Sequence, residues 1–522
     1  MEKFSKIIAP VIMAIMVLAG CAEAATASDN SEVESAVSGE LTGIAAEGVR
    51  IVLSDEGITV DGEAISKKET DAVHAGTDII YYEEGKGELY GEGDKDDEHS
   101  KEEADKHTVV TITKPGTYTI SGSLSYGQIV VDLGKDADED AAAVVNLVLN
   151  GTEINCDVAS AIVVMNAYEC GDDDEDNATP TVDTSAAGFN LILAKDSVNI
   201  INGSHVAKIY KDDTTKEDVE NDKAKKKYKF DGAINSLVSF NIDAQENGKL
   251  TVNADNEGIS SALHMTINGG EIVINSSDDA INTSEDNVSV LTINDGVVIC
   301  DSGLGKEGDG IDSNGYITMN GGYVIACANA KSMDSGVDSD LGIYTNGGTL
   351  LASGNMYDEI EKDSEQLFMV LNFREKITED EHIMVTDEED TPIFAFSAVN
   401  DYTVAAYSSP ELAEGTYHLY KVSSVTGDLK GSIYTNITDY TDAVQLQTSG
   451  GFMMGGPGMG GGRGPMPGGD VPAMADGERP RMPDGERPEG GKDFRGSQMQ
   501  GEATTEFEFS WESYQFGGIS EK

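Results

Sequence analysis

The sequence predicts an all-β protein: a parallel β-helix, that is, a solenoid with coils of about 26 residues, followed by a small C-terminal β module. Three observations lead there. From Thr108 onward the chain breaks into short β-branched runs closed by Gly, Asn or Asp, and helix-period stretches are nearly absent. A motif recurs without gaps as Met265-Thr-Ile-Asn-Gly-Gly, Leu291-Thr-Ile-Asn-Asp-Gly, Ile317-Thr-Met-Asn-Gly-Gly and Ile343-Tyr-Thr-Asn-Gly-Gly, with Asn268, Asn294, Asn320 and Asn346 spaced by 26. Beyond each Asn, one strand face is apolar in every copy: Ile272, Val298, Val324 and Leu350, then Ile274, Cys300, Ala326 and Ala352. Leucine-rich repeats would need a regular Leu pattern, and propeller blades would need longer units.

Taken in order, Lys3 and Lys6 precede an apolar run, Ile7 to Ala19, too short to span a bilayer comfortably. It ends in Leu18-Ala19-Gly20-Cys21, the form of a bacterial lipobox. Residues 1–20 are therefore expected to be a signal peptide and Cys21 the lipidated residue. The protein is expected to be exported and held on the outer face of the cytoplasmic membrane by that lipid alone. Residues 21–48 read as a tether.

The solenoid is expected over 49–355. It begins with Val49-Arg50-Ile51-Val52-Leu53 and Ile58-Thr59-Val60 and continues through Val109–Thr113, Thr117–Ile120, Ile129–Val131 and Val144–Leu149. The charged run 91–107 reads as a solvated loop, and the insertions 171–183 and 211–229 as surface loops. The Asn column is expected to form an internal amide ladder serving turn backbone groups. A β module is expected over 356–449, with Phe368–Leu371 and Tyr402–Tyr407 as strands. Residues 450–504, rich in Gly, Met and Pro, read as disordered, and 505–522 as a closing strand. Cys156, Cys170, Cys300 and Cys327 form no CxxC and the seven His do not cluster, so buried small hydrophobes are expected rather than disulfides or a zinc site.

Of 522 residues, 95 are acids and 35 bases, a formal charge of −60. That balance excludes nucleic acid as a partner, because binding it requires excess Lys and Arg to neutralise phosphates. The acids have internal order. Asp231-Gly-Ala-Ile-Asn, Glu257-Gly-Ile-Ser, Asp279-Ala-Ile-Asn, Asp309-Gly-Ile-Asp and Ser335-Gly-Val-Asp alternate with the Asn copies. Asp312 and Asp338 are 26 apart, as are Ser313 and Ser339, and Asn314 and Asp340. Carboxylates stacked one coil apart repel unless a proton or a cation intervenes. Asp279, Asp309, Asp312, Asp338 and Asp340, with turn carbonyls, offer the hard oxygens that Ca²⁺ takes, so Ca²⁺ is the expected cofactor.

Gly116-Thr-Tyr-Thr-Ile-Ser-Gly, Asn146-Leu-Val-Leu-Asn-Gly-Thr-Glu-Ile, Asp231-Gly-Ala-Ile and Gly308-Asp-Gly-Ile-Asp-Ser resemble a group of clostridial carbohydrate-binding lipoproteins, over roughly residues 50 to 355 or 440. Those proteins are similar in fold to pectate lyases. The resemblance implies a right-handed parallel β-helix, bound Ca²⁺, and plant cell-wall polysaccharide, acidic (polygalacturonate) or cellulosic, as partner. A non-catalytic binder is expected. A Ca²⁺-dependent polysaccharide lyase is the alternative, with Lys306 and Lys331 as candidate bases; they sit one residue off the 26 period, and no Arg lies between Arg50 and Arg374. A structural spacer or adhesin is the third reading.

Overall fold

The computed structural model describes residues 48–449 and 503–522. The expected signal peptide, Cys21, the tether up to residue 47 and most of the Gly/Met/Pro segment lie outside the described residues.

The described chain is all-β; among these residues the α-helices are confined to the short turns Lys101–Ala104 and Lys216–Glu220. Each repeat unit contributes three strands, illustrated by Val290–Ile293, Val297–Asp301 and Ile311–Ser313. Equivalent strands of successive units pair in parallel, which builds three ladders. On the first, Phe240 faces Met265, Met265 faces Leu291, Leu291 faces Ile317 and Ile317 faces Ile343. On the second, Ile272 faces Val298, Val298 faces Val324 and Val324 faces Leu350. On the third, Ile259 faces Ile281, Ile281 faces Ile311 and Ile311 faces Val337. The 26-residue spacing of the sequence is thus the register of the first two ladders.

Parallel pairing stacks like on like, so a column apolar in sequence becomes a continuous apolar wall. Ile272, Ile274, Val298, Cys300, Val324, Ala326, Leu350 and Ala352 are all buried, as are Ile259, Ile281, Ile311 and Val337 from the third ladder. Cys156 and Cys327 are buried with them, Cys170 is half-buried, and all four cysteines among the described residues are free thiols.

Both ends depart from pure parallel stacking, and the sheets are mixed. At the start, Val49–Leu53 pairs parallel with Gly116–Leu124 and antiparallel with Thr59–Val60. At the end, Thr349–Gly354 is met antiparallel by Tyr402–Ser408, which also pairs antiparallel with Phe368–Ile377. Gln515–Glu521 then lies parallel to Phe368–Ile377. A strand laid across the last rung hides the row of unpaired N–H and C=O groups that an open stack would expose. The rings of Phe394 and Tyr407 stack 3.9 Å apart in the interior of this terminal module. Stacking also outlasts the repeat: isolated parallel bridges join Ser335 to Met356 and Ile343 to Ile360, one partial coil beyond the expected end at 355.

Three expectations are corrected here. The 91–107 run is not simply solvated. His205, from a different coil, sits between Asp97 (3.2 Å) and Asp255 (3.1 Å); burial alone would lower its pKa, but the two carboxylates push it up to about 10. His107, at the end of the run, is buried against Asp157 at 2.9 Å. The 211–229 insertion is partly strand, because Lys226–Phe230 pairs antiparallel with Val206–Tyr210. The Asn268–Asn294–Asn320–Asn346 ladder forms, with amide-to-amide bonds of 2.9, 3.0 and 3.2 Å, but it runs along the surface and its amides bond chiefly to one another; only Asn346 Oδ1 also accepts from backbone, from Glu365 N at 3.4 Å. Other amide ladders run through Asn146, Asn190 and Asn241, and through Asn155, Asn202, Asn253 and Asn275.

The turn after each ladder Asn sets how closely coils approach. Gly296 has φ +103°, and a Cβ there would lie 2.8 Å from Gly270 O of the preceding coil. Gly134 has φ +97° with nothing within 4 Å. Gly134→Ala should therefore cost only backbone strain, about 1–3 kcal/mol, whereas Gly296→Ala adds overpacking of roughly 1–3 kcal/mol more. Denaturant midpoints of the two variants check this; equal losses would mean the coils are not in close contact at that turn.

Candidate functional site

The acidic motif brackets the third ladder. In Asp309-Gly-Ile-Asp, Ile311 turns inward to the core, and Asp309 and Asp312 are left on either side of it. Register places Asn282 beside Asp312 and Asp312 beside Asp338. Asp309, Asp312 and Asp338 converge: one oxygen from each lies within 4.8 Å of the others.

The neighbours of this trio are also acidic. Asp309 Oδ1 accepts from Ser335 N at 2.6 Å, and Asp279 Oδ1 accepts from Asp309 N at 2.7 Å. On the far side, Asp358 Oδ2 accepts from Ser339 N at 3.0 Å. Burial, followed by the charge of Asp338, pushes Asp312 up to about 7 and likewise Asp358 up to about 7. Asp309 is driven well above the carboxylate range by burial and by Asp338, and Asp279 by burial and by Asp278. Burial and Glu307 raise Asp278 to about 6; burial and Asp231 raise Glu257 to about 8. Glu257 Oε1 accepts from Asn282 Nδ2 at 2.9 Å, while Glu257 Oε2 and Asn282 Oδ1 are buried with no hydrogen-bond partner.

These features have one cause. Two full charges about 5 Å apart in an effective dielectric of about 20 repel by roughly 3 kcal/mol. Coil stacking forces that repulsion on several pairs at once, and the carboxylates answer by holding protons. A divalent cation removes the same repulsion. The donor set suits a hard one: three carboxylates, a neighbouring amide oxygen with no partner, and no imidazole or thiolate among the trio.

Of the five carboxylates expected to bind metal, the structure brings Asp309, Asp312 and Asp338 together. Asp279 is engaged with the Asp309 backbone. Asp340 stands outside the trio, near Asp286, although its charge still raises Asp312. Asn282 was legible as the residue aligned with Asp312 and Asp338 in the motif. Asp358 gave no signal, because it follows Asp338 by 20 residues rather than 26. Lys331 Nζ donates to Gly305 O at 2.9 Å, in the loop that also carries Lys306.

Comparison with known proteins identifies the family. The family described as carbohydrate-binding domain-containing protein matches residues 106–187 and 175–391, together more than half of the chain. The chain belongs to that family. One family relative, a carbohydrate-binding domain-containing protein of Acetivibrio thermocellus, is 30% identical over 166 residues, which is 32% of this chain and 44% of the relative. The match therefore spans less than half the length of that relative. A solved structure, the gadolinium derivative of a polysaccharide lyase-like protein from C. thermocellum, aligns over 58% of this chain and 94% of its own, with 20% identity and a TM-score of 0.33.

The raised carboxylates set a pH dependence. A group whose folded pKa exceeds its unfolded value stabilises fully below the unfolded pKa, and that stability is lost as pH rises through the folded one. For Asp312 and Asp358 the window runs from the model-peptide value of 3.8 up to about 7. The unfolding midpoint in chelator should fall steadily as pH rises across that window, and Asp312→Asn should flatten the slope. A midpoint that climbs over the window in the wild type would contradict the arrangement.

Proposed function

We propose that this is an exported lipoprotein, anchored through Cys21, that holds polysaccharide on a Ca²⁺-binding, right-handed parallel β-helix without cleaving it. Membership of the carbohydrate-binding family supports the general reading of polysaccharide binding. The parallel registers of the three ladders support the β-helix. The observation that carries the calcium reading is the convergence of Asp309, Asp312 and Asp338 beside the unpartnered amide oxygen of Asn282.

The residues present fit the group. Asp309, Asp312 and Asp338 would hold Ca²⁺, with Asn282 and Asp358 beside them. Bound there, Ca²⁺ would supply positive charge to an edge that otherwise repels acidic glycans, and would take further oxygen ligands from a uronate carboxylate. The chain's own part is to fix the oxygens in place: the Ser335 N–H bond orients Asp309, and the parallel strands set the distance from Asp312 to Asp338. A partly buried turn also limits screening by bulk salt.

Retention on immobilised polygalacturonate, with and without chelator, tests the reading. Full-length protein should be retained in Ca²⁺ and released by chelator, and Asp338→Asn should weaken retention roughly tenfold, because affinity tracks the number of charged ligands. Retention indifferent to chelator would remove calcium from the account. Absence of retention on any cell-wall glycan would remove the binding function itself.

A further inference from the structure

Both insertions, expected as surface loops, act as roofs. The first straps the outer column Thr266, Thr292 and Thr318 of the first ladder. Thr184 Oγ1 shares a 2.6 Å hydrogen bond with Thr266 Oγ1, and Thr318 Oγ1 donates to Pro180 O. The second covers the early coils of the third ladder. In register, the outward column of that ladder runs from Thr111 through Val130, Val163, Asn235, Ser260 and Asn282 to Asp312 and Asp338. The face that is acidic in the last coils is thus apolar in the first. Over its apolar end, the hairpin of Val206–Tyr210 and Lys226–Phe230 places Tyr228 and Phe230, two residues apart and so on one strand face. Between hairpin and ladder lies a cavity of about 250 Å³. Val109, Val163 and Phe230 line it and are buried, whereas Ile80, Val130, Met165 and Tyr228 are half-buried and open to a guest.

Two carboxylates complete the lining, Asp132, half-buried, and Asp78, exposed, and no Lys, Arg or His joins them. Gly134 N and Asn166 Nδ2 both donate to Asp132 Oδ1, at 3.0 and 2.8 Å, and among the described residues no bond falls on its Oδ2. The hairpin overhead is rich in lysine, yet its lysines are held elsewhere: Lys208 by Glu92 at 2.6 Å, Lys227 by Asp212 at 2.9 Å and Lys229 by Asp231 at 2.7 Å. Lys226, on the strand face of Tyr228, stands outside the lining. Asp78 and Asp132 thus have no ion-pair partner among the described residues, and the site is complementary to positive charge. A strongly hydrated cation would lose its water against Val130 and Met165 at high cost. A weakly hydrated organic cation loses little there and gains the negative face of an aromatic ring. We propose that this cavity binds a quaternary ammonium on a small apolar body, with Asp132 as its counter-charge and Tyr228 as its aromatic wall. The volume, below the roughly 300 Å³ of a drug-sized pocket, limits the guest to one ring or a short chain. The proposal is independent of the polysaccharide and Ca²⁺ readings.

Calorimetric titration of the full chain with benzyltrimethylammonium in chelator tests this, with benzyl alcohol as the neutral counterpart. The wild type should bind the cation about tenfold more tightly than the alcohol. Asp132→Asn keeps the oxygen that serves Gly134 and Asn166, and should weaken binding of the cation about tenfold at an unchanged melting temperature. Tyr228→Leu should weaken it about fivefold, and Tyr228→Phe should leave it intact. Asp173→Asn, in the exposed part of the 171–183 insertion, should change nothing. A wild type that ignores the cation, or binds the alcohol equally well, would overturn the proposal. So would equal weakening by Asp173→Asn, which would mean a general attraction to an acidic chain. If Asp132→Asn lowers the melting temperature, the Tyr228 pair decides: loss in Leu with retention in Phe supports the site, and equal affinity in the two overturns it.

Discussion

In-register parallel stacking is the constraint from which the rest of this structure follows. Each coil lays its residues on the same positions of the coil before, so every side chain meets a near copy of itself. For Ile, Val and Leu the result is a continuous core. For Asn it is a ladder in which each amide donates to one neighbour and accepts from the other, as the chain from Asn268 to Asn346 does. For Asp the same geometry is repulsive. The protein tolerates stacked carboxylates chiefly at one edge of the third ladder, over the last coils, where Asn282 gives way to Asp312 and then Asp338.

That placement ties fold to chemistry. A carboxylate pair in a flexible loop would move apart, whereas one held by a β-ladder cannot. The repulsion is therefore built in and is relieved only by protons or by a cation. The raised pKa values of Asp309, Asp312 and Asp358 and the unpartnered oxygens of Glu257 and Asn282 are two signs of the same frustration. On the opposite chemical footing, the first ladder's outer column is neutral, hydroxylated and roofed by the strap at Pro180–Thr184. The two surfaces differ in charge, the acidic turns anionic and the threonine column neutral.

The all-β class, the 26-residue register and the inward columns were legible in the sequence because parallel stacking writes three-dimensional neighbours into a fixed spacing. Asp312 and Asp338 were legible for the same reason. What was not legible lies where the period breaks. Asp358 belongs to a partial coil whose spacing is shorter. Asp340 keeps the period but sits past the strand end, where register no longer fixes a side chain's direction. His205 joins Asp97 and Asp255 across separations that no local pattern encodes. The Asn ladder was read as internal because amides so often serve turns; its outward position depends on which way the strand's alternation begins, and the apolar residues around it already fill the inside.

The central claim is that stacked carboxylates of the third ladder exchange protons for a divalent cation. Calorimetric titration of chelator-stripped protein with Ca²⁺, repeated in buffers of different ionisation heat, tests it most directly. Burial and the charge of Asp338 both favour the protonated forms of Asp309 and Asp312. Binding near pH 6 to 7 should therefore release protons, giving a heat that depends on the buffer, and Asp312→Asn should reduce both the release and the affinity. No binding heat, or a heat that is the same in every buffer, would contradict the account.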